Sequence, residues 1–374
     1  MPATPIRVLF VSRERHRLPL DGAQQRKWEA IGARLDYRVL AAAHAGTPTS
    51  SERFRLAGPS RLPALDGALY YLRLPFRIAR ELRVFRPEAA VVQGVHEMVA
   101  FLVGRRLARA STRGILDVQG DWRAVTRLYA SPLRRLLNPL NDALAPVAVR
   151  RADGVRSISE HAVEIVRELG VEPTAVFPPY VDARAFVGRP PVPLPETPTA
   201  LFVGVLEAYK NVDGLARAWR EVETRVPGAV LHLVGDGTMT EVAEGLVRDH
   251  GARWDRVLDP DRVAAAMDDS WLLVLPSRAE GLGRVLIEAA CRGRALVGAD
   301  RGGIPDVVVD RANGLLIDPD DPAALAEALV HVLSDRAEAE RLGANARRSG
   351  EEWSITPEQF AERVADLVRR TLAD

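Results

Sequence analysis

The residues best equipped for chemistry sit in SRAEGLGRVLIEAACRG (277–293), where Glu280 and Glu288 stand eight positions apart with Gly281 and Gly283 between them. The preceding LLVL (272–275) is a strand-like run that stops at Pro276, and from Gly283 onward Val285, Leu286, Ala289 and Ala290 recur at helical spacing. The first N–H groups of such a helix lack intrahelical acceptors and carry the positive end of its dipole. Its mouth therefore suits a phosphate, and the glycines let a ligand approach the backbone. Carboxylates in that place would repel a bare phosphate, so they are read as acceptors for neutral hydroxyls, Glu280 from a sugar and Glu288 from a ribose. A diphosphate between two polyols describes a nucleotide sugar. The plainer alternative makes Glu280 a solvated loop acid and Glu288 a helix-surface residue.

A second element points the same way. In LFVGVLEAYKN (201–211), Gly204 closes a strand and Lys210 follows six residues later, ahead of a helix. Of the 51 basic residues all are arginine except Lys27 and Lys210, so a lysine kept at a strand-to-helix loop is read as a mobile charge for a phosphate. In VGDGTM (234–239), Gly235 and Gly237 are either a strand-to-helix turn or a backbone contact near a nucleobase.

The elements that must position these residues follow from the alternation of short apolar runs with helical patterns, the signature of βαβ units. Runs at 6–12, 36–42, 89–94, 114–119 and 154–159 make one set, and runs at 199–206, 229–237, 271–277, 294–300 and 314–318 a second. Between them VGRPPVPLPETP (187–198) holds five prolines and reads as the interdomain linker. At 374 residues two domains are expected. The fold class is thus α/β, two Rossmann-like doubly wound halves facing each other across a cleft, with domains at 1–188 and 189–355.

Composition excludes several classes. A single cysteine, Cys291, leaves no disulfide framework or thiolate metal cluster and reads as a small apolar helix residue. No apolar run approaches a membrane span, and MPATPIRVLFVSRE enters a strand without a signal-peptide core, so a cytoplasmic location is expected. The net charge of +1 hides an asymmetry: residues 1–190 carry 30 basic against 18 acidic residues, the remainder 21 against 32. Nucleic acid is disfavoured as a partner of the basic half, because aromatics are only 6% and no binding module is present.

On these residues the second half resembles the donor domain of the retaining glycosyltransferases of the GT-B fold, glycosyltransferase family 4. VGVLEAYKN matches its glycine–lysine loop and EGLGRVLIEA its E-x7-E element; GGIPDVVVDRANGLLIDPDDPAALAEAL (302–329) continues the pattern. ADGVRSISEHA and PPYVDARAF resemble, more weakly, the segments leading to the interdomain crossing. The resemblance implies that Lys210 neutralises the diphosphate of a UDP- or GDP-sugar, that Glu288 binds the ribose and that Glu280 faces the donor sugar. Backbone N–H groups of Gly281, Leu282, Gly283 and Arg284 would hold sugar or phosphate oxygens. Gly204, Asn211 and Gly235 fall in the loops around that site, and Gly22 matches the N-terminal glycine loop near the phosphates and acceptor. It further implies metal-independent transfer of a hexose with retention, without a protein nucleophile, and a final helix at 356–374 returning to the first domain.

Three positions depart from the family pattern. Val205 stands where an arginine usually follows the glycine, Asn211 where a glycine usually follows the lysine, and Gln119 where a histidine usually ends the N-terminal site strand. Arg278 and Arg284 are candidate replacements for the missing arginine. Gln119 can hydrogen-bond a sugar hydroxyl; Asp121, two residues on, is either a further polar contact or a turn residue after Gly120. The acceptor is a saccharide or a lipid-linked saccharide in cell-envelope or exopolysaccharide synthesis. RLPFRIARELRVFR (73–86) sets arginines 73, 77, 80 and 83 opposite Leu74, Ile78, Leu82 and Phe85, either to lie on an anionic membrane at its inner face or to pack on the sheet. SPLRRLLNPLNDALAPVAVRR (131–151) is a second such segment. His96 and His161 read as loop and cap residues. The competing functions are a nucleotide-sugar binder or scaffold of the same fold without turnover, and an epimerase acting on a nucleotide sugar.

Overall fold

The computed structural model describes residues 5–60, 66–123 and 142–373. The chain forms two compact units and passes between them at Tyr180/Val181 and at Ser354/Ile355.

In the first unit the strands are β1 (Arg7–His16), β2 (Asp36–Ala43), β3 (Phe54–Ala57), β4 (Ala89–Gln93), β5 (Arg113–Val118), β6 (Gly154–Ser157) and β7 (Ala175–Val176). All are parallel, in the order β3-β2-β1-β4-β5-β6-β7. Between them run α1 (Gly22–Gly32), α2 (Asp66–Val84), α3 (Val95–Ala108) and α4 (Glu160–Arg167). A parallel sheet is covered on both faces, so the central stretches of its strands are apolar on both sides. β1 shows this: Val8 enters one core cluster with Trp28 and Ile31, while its neighbour Leu9 enters another with Leu74, Ile78 and Phe101. The stripe expected on 73–86 belongs to that second core, with Leu74, Ile78 and Leu82 at most 3% exposed. Of the second basic segment, 131–141 lies outside the described residues; 142–150 is helical, with Ala145, Ala148 and Val149 buried in the same core.

The second unit begins with α5 (Arg184–Val187) and carries β8 (Thr199–Val203), β9 (Val230–Val234), β10 (Arg253–Asp255), β11 (Leu272–Leu275), β12 (Ala295–Ala299) and β13 (Gly314–Ile317). These are again all parallel, in the order β10-β9-β8-β11-β12-β13. Its further helices are α6 (Val212–Arg225), α7 (Thr240–His250), α8 (Pro260–Asp268), α9 (Arg284–Cys291), α10 (Pro322–Ser334) and α11 (Arg336–Trp353). The last helix, α12 (Pro357–Ala373), returns to the first unit, where Phe360, Val364, Leu367 and Val368 bury against Trp28 and Ile31.

Three strands go beyond the sequence reading. β3, β7 and β10 are edge or near-edge strands of two to four residues, too short for an apolar run to show. The proline-rich stretch also differs from expectation, because it is strapped to the second unit rather than free between the two. Buried Arg292 pairs with Asp268 at 2.7 Å and donates to the carbonyls of Phe186, Arg189 and Pro190. Arg294 donates to Val192 O at 2.6 Å, Arg336 to Leu194 O and Pro195 O, and the Trp271 indole to Pro195 O. Proline cannot donate to a ladder, so its neighbours' carbonyls are left as acceptors, and arginine forks take them.

Candidate active site

Strand order in the second unit reverses between β8 and β11, and in doubly wound sheets ligands bind outside the carboxyl ends at such a switch point. The loops leaving these two strands carry Lys210 and Glu280. Although 70 residues apart, they form an ion pair between Lys210 Nζ and Glu280 Oε1, with side chains 12% and 13% exposed. The Ser277 hydroxyl donates to the same Oε1 at 2.9 Å.

The lysine is presented by a 3-10 turn, Ala208–Lys210, that ends on Asn211 in the left-handed conformation, φ 60°. Glycine and asparagine are the residues that tolerate this conformation best, so the asparagine after the lysine supplies the backbone bend a glycine would. Asn211 is 1% exposed and its amide donates to Pro319 O at 2.7 Å. Through that bond it holds the lysine turn. Arg278 braces the same turn, pairing with Asp320 at 3.1 Å and Asp213 at 3.5 Å and donating to Ala208 O. It is thereby engaged, and of the two candidate replacements for a second phosphate cation it is Arg284 that is exposed and has no partner among the described residues.

Glycines set the shape of the site through backbone contact. β8 and β9 end in register at Val203 and Val234, so Gly204 and Gly235 lie side by side. Gly235 has φ 145°, and a Cβ there would fall 1.8 Å from Gly204 O; one at Gly237 would fall 2.5 Å from Leu206 O. The loop after β12 does the same to the loop after β11: a Cβ at Gly302, φ 60°, would lie 2.2 Å from Glu280 O, and one at Gly303 2.2 Å from Gly281 O. Gly303 N donates to Glu280 O at 3.1 Å, so this glycine pair fixes the backbone that carries the acid.

The helix mouth has no side-chain cap. Gly283 occupies the cap position of α9 with φ 74°, leaving the N-terminal N–H groups to a ligand. Leu282 is 3% exposed, so it can contribute only backbone. Glu288, one helical turn from Arg284, is half-buried on a helix whose Leu286, Ile287, Ala289 and Ala290 are buried. Burial pushes its carboxyl up to about 7, with the Arg284 charge pulling the other way. Among the described residues it has no hydrogen-bond or ion-pair partner. A carboxylate held in apolar surroundings with no donor is costly unless a ligand supplies one.

In the first unit the other expected site residues are placed differently. Gly22 opens α1, capped by Asp21, which accepts from Gln24 N at 2.8 Å. Gln119 follows β5 and its amide donates to Asp117 at 2.7 Å; Asp117 in turn holds buried Arg156 at 3.0 Å. The Gln119 amide oxygen and its second amide N–H are then left to meet a ligand. Asp121 accepts from Arg123 N at 2.8 Å and pairs with its guanidinium at 3.2 Å, the bonding of a turn residue. The site residues that sequence reasoning did not single out are Ser277, Gly302 and Gly303. The last two stood in a quoted motif, and their adjacency before Ile304 was the available signal.

Comparison with known proteins bears on the same frame. The chain superposes on sucrose-phosphate synthase from Thermosynechococcus elongatus with a TM-score of 0.75 at 20% identity, covering 98% of this chain and 99% of that one. The fold is GT-B. Within this GT-B chain, residues 189–349 match the family model of glycosyl transferases group 1, a stretch that holds Lys210, Glu280 and Glu288. It is 32% identical over 274 residues to the D-inositol 3-phosphate glycosyltransferase of Xylanimonas cellulosilytica, covering 62% of this chain and 65% of that protein. It is 30% identical over 202 residues to the GDP-mannose-dependent alpha-(1-6)-phosphatidylinositol monomannoside mannosyltransferase of Mycolicibacterium smegmatis, covering 51% of this chain and 52% of that protein. The match thus spans between half and two thirds of these relatives' length.

Proposed function

We propose that this chain is a retaining glycosyltransferase that moves a hexose from a UDP- or GDP-sugar to a saccharide or lipid-linked acceptor in the assembly of envelope or extracellular glycans. The observation that carries it is the Lys210–Glu280 pair beside the uncapped mouth of α9, with the unpartnered Glu288 inside the same helix. On donor entry the diphosphate takes Lys210 and the helix N–H groups, which frees Glu280 to accept from sugar hydroxyls, while the ribose supplies the donors that Glu288 lacks. The acceptor hydroxyl oxygen then bonds to the anomeric carbon as its bond to the diphosphate oxygen breaks, and the hydroxyl proton passes to that departing oxygen. The new bond forms on the face the diphosphate leaves. Lys210 and the helix dipole stabilise the charge that develops, so the step is written without a metal or a protein nucleophile. The group 1 match and the GDP-mannose dependence of one relative support this donor class.

The outward face of α2 supports a lipid-linked acceptor and peripheral contact at the inner face of the membrane. Leu72, Phe76 and Val84 are 68%, 65% and 64% exposed, interleaved with exposed Arg73, Arg80 and Arg83 and with no exposed acid from 72 to 84. Such a face suits an anionic bilayer. Among the described residues no helix is long and apolar enough to cross a membrane. Phe76→Ser should weaken sedimentation with phosphatidylglycerol vesicles.

Titrating the protein with a panel of UDP- and GDP-sugars, followed by saturation-transfer NMR and by release of free sugar, tests the reading. Binding with slow hydrolysis supports an enzyme; binding without any hydrolysis or transfer favours the binder or scaffold, and no binding rejects both.

A further inference from the structure

We propose that Arg13 anchors an anionic group, a phosphate or a sugar carboxylate, on the acceptor; this rests on the transferase reading and names the class of its second substrate. The first unit reverses its strand order between β1 and β4, so the carboxyl edge there is its ligand-binding place. β1 pairs with β4 only as far as Val11, and its register with β2 shifts between Val11 and Arg15. Such an irregularity re-aims a side chain, and Arg13 lies inside it.

The guanidinium is exposed and already oriented. Its carbon stands 5.5 Å from the Tyr71 ring centre and 6.0 Å from that of Tyr70. Both rings are fixed by their hydroxyls, Tyr70 donating to Ser12 O at 2.5 Å and Tyr71 to Glu97 Oε1 at 2.8 Å. Gly67 leaves room for it, since a Cβ there would lie 3.1 Å from Arg13 Nη2.

The acids at this edge hold other partners: Asp66 pairs with Arg15 at 2.9 Å, Asp117 with Arg156 and Asp121 with Arg123, while buried Glu97 accepts from Tyr71 and feels the Arg13 charge without pairing with it. Among the described residues Arg13 has no ion-pair partner. An arginine held over two aromatic rings and without an ion-pair partner presents a fork that matches a phosphate or carboxylate.

The full chain, with nucleoside diphosphate saturating the donor site, is titrated with glucose 1-phosphate, glucuronate, dihexanoyl phosphatidic acid and glucose. At least one anion should bind about tenfold or more tightly than glucose, as a charge-assisted contact predicts. Arg13→Ala should remove that preference with an unchanged melting curve, and Arg13→Lys should keep part of it. The tightest anion assigns the group to a lipid carrier or to an acidic sugar. Equal binding of glucose and every anion, or full anion binding by folded Arg13→Ala, overturns the proposal. If Arg13→Ala does not fold, Arg13→Gln takes its place under the same criterion. Failure of nucleoside diphosphate to bind wild-type protein would defeat the transferase reading instead, and the anion series repeated without nucleotide still decides the role of Arg13.

Discussion

Both units reverse strand order once, between β1 and β4 in the first and between β8 and β11 in the second, yet the two carboxyl edges are built from different materials. In the second unit the edge is backbone against backbone, with Gly204 under Gly235, Leu206 under Gly237 and Glu280–Gly281 under Gly302–Gly303. In the first it is side chain against side chain, with Arg13 on two tyrosines, Tyr71 on Glu97, and Gln119 on Asp117 on Arg156. Glycine contacts admit almost no substitution and suit a ligand part that does not vary, such as a diphosphate. Side-chain networks can be rewritten one residue at a time, and they suit the partner that does vary.

The largest effect that would break or sharpen this contrast lies at the ion pair. Lys210→Ala should lower donor turnover about a hundredfold or more, as loss of a positioned charge does, and Glu280→Gln should approach it. Gln119→Ala should cost less than about tenfold. Steady-state rates with one donor compare all three, and wild-type turnover in Lys210→Ala would remove the chemistry from the second unit.

Next comes the packing itself. Gly302→Ala places a methyl 2.2 Å from Glu280 O at φ 60° and should cost about 2 kcal/mol or more in urea unfolding. Gly170→Ala in the first unit has positive φ but open space around it, and should cost only about 1 kcal/mol. Equal costs would show that the backbone contact at Gly302 adds nothing beyond its positive φ.

Glu288 gives a pH signature. Its carboxyl lies at about 7 against an ordinary 4.5, so the folded state holds the proton more tightly than the unfolded one. That contribution to stability is full below the ordinary value and is lost as pH rises through about 7. Glu288→Gln should therefore be about 1–3 kcal/mol more stable than wild type at pH 8, with the gap closing toward pH 5. Donor kcat/KM should move oppositely, rising through about pH 7 as the carboxylate becomes able to accept from ribose, and the variant should show no such rise. The smallest expected effect is at the lysine turn, where Asn211→Gly should be about 1 kcal/mol milder than Asn211→Ala, because only the latter strains at positive φ.

What could be read in the sequence follows the same division. Glycines at strand ends, the acid spacing and the buried stripe of α2 are local patterns, and each was legible from periodicity or from φ requirements. The meeting of Lys210 with Glu280 depends on strand order across 70 residues, which no local pattern encodes. That Asn211 bends the lysine turn is visible only in the structure, through its buried amide and left-handed backbone. No local pattern marks Arg292 and Arg294 as interior residues, yet both are about 1% exposed, because carbonyls of the proline-rich stretch and the Asp268 carboxylate accept from their guanidiniums.

That last feature decides where the second unit can be severed and still fold alone. The prolines invite a cut near residue 189, but such a fragment would discard Phe186 and its carbonyl and leave the Arg292 fork short of an acceptor inside an apolar interior. A fragment of residues 181–354 keeps α5 and every carbonyl that the buried guanidiniums use, and it is the one expected to yield a folded, nucleotide-binding product on its own.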